Sequence, residues 1–325
     1  MLLKYKPEDF IVREKANFTL TERGLYSYWL LRKSNMTTLA AIYCLTRHLH
    51  IPEKSIGFSG TKDKVAMTEQ FISVKETEQE NNYGKEIGFS NPHCTVTFVG
   101  YGDKPLLLGD LQGNSFVITV RDIDSEQLQS FETRIQGKNT YQFTNFFGEQ
   151  RFSHKNVVVG KLILKRKYKE AVDEIITAQG DYEHRVREYR ELHQNDHVGA
   201  LKTIPRLVLL FFMHAYQSAL WNEYVVLIDQ ETVQLIGFGT ELNAQEYSVI
   251  MPIMEREQIT FRDFVNNSFP ELSVEGSRRY KMCTATSLSY DVTEDDIFPG
   301  KKKVVIAFFL PKGCYATTLC KALFS

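Results

Sequence analysis

Apolar and polar residues alternate in short runs through the first part of the chain. Residues 8–14, DFIVREK, switch at every second position, the period of a half-buried strand. Residues 25–33, LYSYWLLRK, 67–75, MTEQFISVK, 93–101 and 115–122 predict further strands, rich in aromatic and β-branched types. A short strand over 55–60, SIGFSG, runs into a glycine turn. The spacing changes to the helical period over 37–48, with Thr37 or Thr38 as cap and Leu39, Ile42, Tyr43, Leu45 and Leu49 as its apolar face. Pro52 stops that helix, and residues 125–136 predict another. The polar stretch 75–86 has loop character.

The pattern becomes mainly helical after about residue 152. Residues 156–193 and 206–230 carry helical spacing, with Leu207, Leu210, Phe211, His214, Ala215, Ser218 and Trp221 on one face of the second stretch. Residues 254–267 predict one more helix, and strand character returns over 303–310, KVVIAFFL. Strands and single helices without a strict βαβ repeat favour an α+β fold. Strand-rich ends around a helix-rich middle favour a sheet domain interrupted by an insertion.

The length of 325 residues suits about two domains. Thirty-nine basic and forty acidic residues leave a net charge of -1, which excludes binding of a polyanion by bulk charge but permits a local basic groove. The apolar runs are too short to span a bilayer, and MLLKYKPEDF has no signal-peptide core. Five cysteines at 44, 94, 283, 314 and 320, with no CxxC pair, suggest free thiols in a reducing cytoplasm. No Cys/His spacing supports a zinc site. A metal-free cytoplasmic protein is the resulting expectation.

Four segments concentrate unusual chemistry. In Gly60-Thr61-Lys62-Asp63-Lys64, a carboxylate stands between two cations after a glycine turn, and those cations favour the ionised form a nucleophile or base needs. Spacing alone fits a solvated loop at least as well. Gly113-Asn114-Ser115-Phe116 pairs an edge-reading amide with a flat apolar ring, groups suited to a flipped base, although a hairpin turn with a core Phe explains it too. Asn145 to Phe152 interleaves aromatics with Glu149, Gln150 and Arg151, for RNA contact or for a buried turn. Leu310 to Thr318 places Tyr315 after a Lys-Gly turn, where a plain strand-to-helix junction is the simpler reading. Lys161, Lys165, Arg166, Lys167 and Lys169 form a basic cluster.

Taken in order, six segments resemble the TruD family of pseudouridine synthases. LLKYKPEDFIVRE resembles the family's K-x-x-P-E-D-F-x-V-x-E opening, and GFSGTKDKVAMTEQ its G-x-K-D-[KR]-x-A-x-T-x-Q motif. LGDLQGNSF resembles G-x-L-x-G-N-x-F, TNFFGEQRF resembles N-[YF]-F-G-x-Q-R-F-G, HAYQSALWNEY resembles S-A-x-[QR]-S-x-L-F-N, and FFLPKGCYATTL resembles the closing segment. Ser153 stands where the family has Gly, and Lys321-Ala322 where it has Arg-Glu.

The resemblance implies a pseudouridine-synthase-type catalytic domain with a mixed or antiparallel sheet in two segments, 1–152 and 275–325, around a helix-rich TRUD insertion, 153–274. It implies isomerisation of uridine to pseudouridine in tRNA, at position 13 of the D arm, without metal or cofactor and with no obligate protein partner. Asp63 falls on the family's catalytic aspartate, and Lys4, Phe10, Asn114, Phe116 and Tyr315 on substrate-binding positions. Lys62, Lys64, Glu149, Gln150 and Arg151 are candidates for RNA contact or for support behind the substrate. Lys4, Lys62, Lys64, Arg151 and the basic cluster should border one groove, with Glu76, Glu78 and Glu80 off it. The alternative is a catalytically inactive RNA-binding protein of the same fold.

Overall fold

The computed structural model describes residues 1–76, 88–152 and 155–325, so Glu78, Glu80 and Ser153 lie outside the described residues. The strands are β1 Phe10–Ala16, β2 Tyr26–Ser34, β3 Ile56–Phe58, β4 Met67–Lys75, β5 Phe89–Asn91, β6 Cys94–Gly102, β7 Leu111–Ile123, β8 Tyr141–Thr144, β9 Thr232–Leu235, β10 Ser277–Tyr280, β11 Met282–Glu294 and β12 Lys302–Pro311. The helices are α1 Thr38–Leu49, α2 Ser125–Ile135, α3 Asn156–Leu164, α4 Tyr168–Ile175, α5 Asp181–Leu192, α6 His197–Lys202, α7 Arg206–Tyr224, α8 Ala244–Glu257 and α9 Ala316–Phe324. The fold is α+β. Two compact units divide the chain: Met1–Phe143 with Cys283–Ser325, and Thr144–Met282. The stretch from Asn145 to Phe152 therefore packs with the second unit.

The first unit is built on one mixed sheet in the order β5-β6-β2-β4-β1-β7-β12-β11-β8, with β3 also on β4. β1 and β4 run parallel, with Ile11 opposite Met67. β1 is antiparallel to β7 and β12 to β7, so the last long strand lies inside the sheet, not at its edge. One face of β1, β7 and β12 buries Phe10, Val12, Phe116, Ile118 and Ile306 against α2 and α9, where Phe131 and Phe324 stack at 4.7 Å. A second core buries Trp29, Leu31, Ile72 and Val96 under Ile42 and Leu45 of α1. Burial of each such side chain contributes roughly 1.5–3 kcal/mol.

The second unit is helical around the 19-residue α7, with a small two-stranded antiparallel sheet of β9 and β10. α3 lies against α7 because Gly160 carries no side chain: a Cβ there would sit 2.1 Å from the Phe212 carbonyl oxygen.

Several local expectations need correction. α1 buries Ala41, Ile42, Leu45 and Leu49 but leaves Leu39 and Tyr43 exposed, since its buried stripe is narrower than the run of apolar residues. α7 buries Ala215, Ser218 and Trp221 of the expected face, but it also turns Leu209, Met213, Tyr216 and Leu220 inward and leaves Leu207 and Phe211 exposed. The helix expected over 254–267 is α8, ten residues earlier, closed by an Asn243–Glu246 capping box and containing Pro252. β11 was not expected: its sequence is largely Ser, Thr and charged, and only Cys283, Ala285 and Leu288 are buried in it.

The expectation of five free thiols also fails. Cys283 and Cys314 form a disulfide. Antiparallel pairing of β11 with β12 brings them together, an adjacency their spacing of 31 residues does not show. Cys44, Cys94 and Cys320 remain free, and burial pushes the Cys320 thiol up to about 12.

Candidate active site

The parallel β1–β4 pairing sets the site. It delivers the Gly60–Lys64 loop, which enters β4, beside the residues that lead into β1. Four neighbours hold the loop. Gln70, fully buried on β4, donates from Nε2 to the Gly60 carbonyl at 3.0 Å. Its Oε1 accepts from the Thr38 hydroxyl at 2.8 Å, and that hydroxyl accepts from the Lys62 amide at 2.9 Å. From β2, the Lys33 ammonium donates to the Asp63 carbonyl at 2.7 Å. From β1, Glu14 accepts a 2.5 Å hydrogen bond from the Lys62 ammonium. A glutamine seven residues after Asp63 is thus explained by the turn it closes.

The Asp63 side chain is one-third exposed and takes a charge-assisted hydrogen bond from Lys4 at 2.5 Å. Lys4 has a positive φ of 56° and lies 4.3 Å from the centre of the Phe10 ring. Phe10 meets Phe116 edge-on at 6.1 Å, and Phe116 stacks on Phe308 at 5.3 Å. Asp63, Lys4, Phe10 and Phe116 therefore form one contact chain. Asn114 lies one step along β7 from Phe116 on the same face, opposite Glu14 and Leu310. Its Oδ1 is buried and has no hydrogen-bond partner among the described residues. Gly113 lets β12 close against this row, because a Cβ would lie 2.2 Å from the Leu310 carbonyl oxygen.

Tyr315 is half-buried at the N-cap of α9, directly after Cys314 and two residues beyond Gly313, whose φ is 84°. It follows the end of β12 that pairs with Asn114.

The flanking lysines do not act as expected. Lys62 is 8% exposed and turns to the buried Glu14, and Lys64 points outward without an ion pair among the described residues. The cation bonded to the Asp63 carboxylate is Lys4, 59 residues away in sequence. Glu149, Gln150 and Arg151 belong to the second unit. Arg151 donates to the Ser218 hydroxyl at 2.9 Å and lies over Phe147 and Phe211. Phe147 is pinned by Asn222 through both backbone groups. In the basic cluster, Lys161 pairs with Glu257 and Arg166 with Asp263.

Glu14 and Lys33 were missed as site residues. Their signal is a charged residue at the inward phase of an alternating strand: Phe10, Val12, Glu14 on β1 and Trp29, Leu31, Lys33 on β2.

The family model for tRNA pseudouridine synthase D, TruD, matches residues 1–196 and 228–323. The chain belongs to the TruD family. It is therefore an enzyme of the pseudouridine synthase class, an isomerase. The tRNA pseudouridine synthase D of Aquifex aeolicus is 34% identical over 69% of this chain and 65% of its own length. A relative from Methanococcoides burtonii bearing the same family name is 28% identical over 98% of this chain and 92% of its own. A solved TruD structure from Methanosarcina mazei, 23% identical, has a TM-score of 0.70 over 99% of this chain and 93% of that one, so the fold is shared. Among the described residues of this TruD protein, no helix is long and apolar enough to cross a membrane, and no group of three or more His, Cys, Asp and Glu residues could hold a metal.

Proposed function

We propose that this TruD protein isomerises uridine 13 in the D arm of tRNA in the cytoplasm, with Asp63 acting on a flipped nucleotide. The observation that carries this is the Lys4–Asp63 pair placed against Phe10 and Phe116, with the orphaned Asn114 oxygen one step away. The N1–C1′ bond breaks, the uracil turns, and C5 joins C1′; C5 loses its proton and N1 gains one, so the change is an isomerisation. Asp63 attacks C1′, or takes the C2′ proton to leave a glycal. The target atoms are shielded in a stacked arm, so the nucleotide must be extruded.

Asn114 Oδ1 is an acceptor for the uracil N3–H, and the Phe116 face supports the ring while leaving it free to turn. Tyr315 closes the same end of the sheet as a second aromatic. Lys64 supplies an exposed cation for phosphate. Lys62, through Glu14, holds the loop from behind, while Glu149, Gln150 and Arg151 shape the second unit's aromatic turn. Catalytic chemistry at Asp63 separates this reading from an inactive RNA binder. Folded Asp63→Asn should make no pseudouridine while still binding tRNA. Turnover like that of the unaltered protein would end the assignment, and site mapping in the product tRNA tests position 13.

A further inference from the structure

Lys33 breaks a strong rule of protein interiors. It is 3% exposed, at the inward phase of β2, opposite Thr68 of β4 and Cys94 of β6. Among the described residues no carboxylate oxygen lies within 4.0 Å of its ammonium, and its hydrogen bond goes to the Asp63 carbonyl. Buried lysines are rare unless paired, because an uncompensated charge in the interior is costly. The Thr68 hydroxyl beside it is also buried, with no hydrogen-bond partner among the described residues.

The groups that face it are few. The loop presents Asp63, whose charge favours a protonated Lys33, and Lys62, whose charge opposes it. Lys62 is itself taken by Glu14 of β1. β6 presents the Cys94 thiol, which burial pushes up, so it is neutral. β4 presents the uncharged Thr68 and Gln70, and α1 presents Thr38. Burial is the largest influence and lowers the Lys33 ammonium to about 8.

We propose that Lys33 is a positioning residue for the isomerisation: its protonated form fixes the Asp63 peptide, and the Asp63 charge in turn holds the Lys33 proton. This rests on Asp63 being the catalytic carboxylate. The coupling is reciprocal, as any linkage between two charges must be. The Lys33 pKa is lowered, so its charge is present at neutral pH and lost as pH rises through about 8. Above that point the loop loses a charged donor and the carboxylate its fixed aim.

The test uses the full chain and a tRNA transcript. Lys33→Met keeps the length and removes the charge. We expect kcat at neutral pH to fall about tenfold or more, with KM changed less than about threefold. We also expect the decline of kcat above about pH 8 to disappear in that variant. Lys33→Arg keeps a cation and should restore part of the rate while moving the decline upward. A Lys33→Met enzyme with the original alkaline decline overturns the proposal.

Side-chain NMR titration of Lys33 gives a readout independent of turnover, and with Lys33→Arg it carries the test if Lys33→Met does not fold. The midpoint should fall in Asp63→Asn, and an unchanged midpoint overturns the coupling. Full turnover by Asp63→Asn removes the reading of Asp63 itself, whatever the midpoint does, so the two failures are told apart.

Discussion

At the scale of single residues, packing and chemistry overlap at Phe116. Its ring is 7% exposed and stacked on Phe308, so Phe116→Ala should cost about 3–5 kcal/mol in stability as well as activity. Phe116→Leu retains most of the volume. A rate loss in that variant, with near-normal thermal unfolding, would isolate the part played by a flat ring. Asn114 is the opposite case: its Oδ1 bonds to nothing in the described protein. Asn114→Ala should leave the melting temperature almost unchanged and lower kcat/KM by about a hundredfold or more, as for a lost substrate hydrogen bond. A large drop in stability with intact kinetics would make Asn114 a structural residue of β7 instead. These candidates were legible as residue types in short motifs. Their partners were not, because Asp63 meets Lys4 across 59 residues of sequence and the adjacent lysines face elsewhere.

At the scale of elements, Arg121 of β7 ties together the segment that carries Lys4 and Phe10. It is 3% exposed and makes a fork to both oxygens of the buried Asp9, then reaches Asp295 at 3.1 Å and Asp296 at 3.0 Å. Arg121→Met leaves buried carboxylates unpaired and should cost about 3–5 kcal/mol. Burial alone would raise the Asp295 carboxyl; the amides of Asp122, Ile297 and Phe298, with Arg121, more than offset it and hold the group below its usual range. Its folded pKa is depressed, so its contribution is present above about pH 4 and lost as pH falls through the folded value. Urea unfolding between neutral and acidic pH should show stability falling below about pH 4, less steeply in Arg121→Met. Parallel slopes in the two proteins would count against the clamp. Strands with clean alternation, such as β1, β2 and β4, could be read from sequence. β11 could not, since β12, not its own composition, makes it a strand.

At the scale of the molecule, a net charge of -1 leaves tRNA attraction to a few well-placed cations. Lys64 is exposed and without an ion pair among the described residues, whereas Lys62 is spent inside the protein. Lys64→Gln should weaken tRNA binding and reduce its salt slope by about 1, with no shift in thermal unfolding. An unchanged slope would remove Lys64 from the phosphate path. The same scale settles the thiols: without reductant, Cys283 and Cys314 should resist alkylation after unfolding while the other three react.

The chain order of the first unit carries a consequence for its birth. β12 lies between β7 and β11 in the sheet, yet it is the last strand to be translated, after the whole second unit. A nascent chain can complete residues 144–282 while the sheet still lacks β12, one of its interior strands. The Asn114–Phe116 row then has no Leu310 or Phe308 beside it. Termination anywhere before β12 leaves that row without its β12 neighbours, and if the proposed site is right, such partial chains should make no pseudouridine.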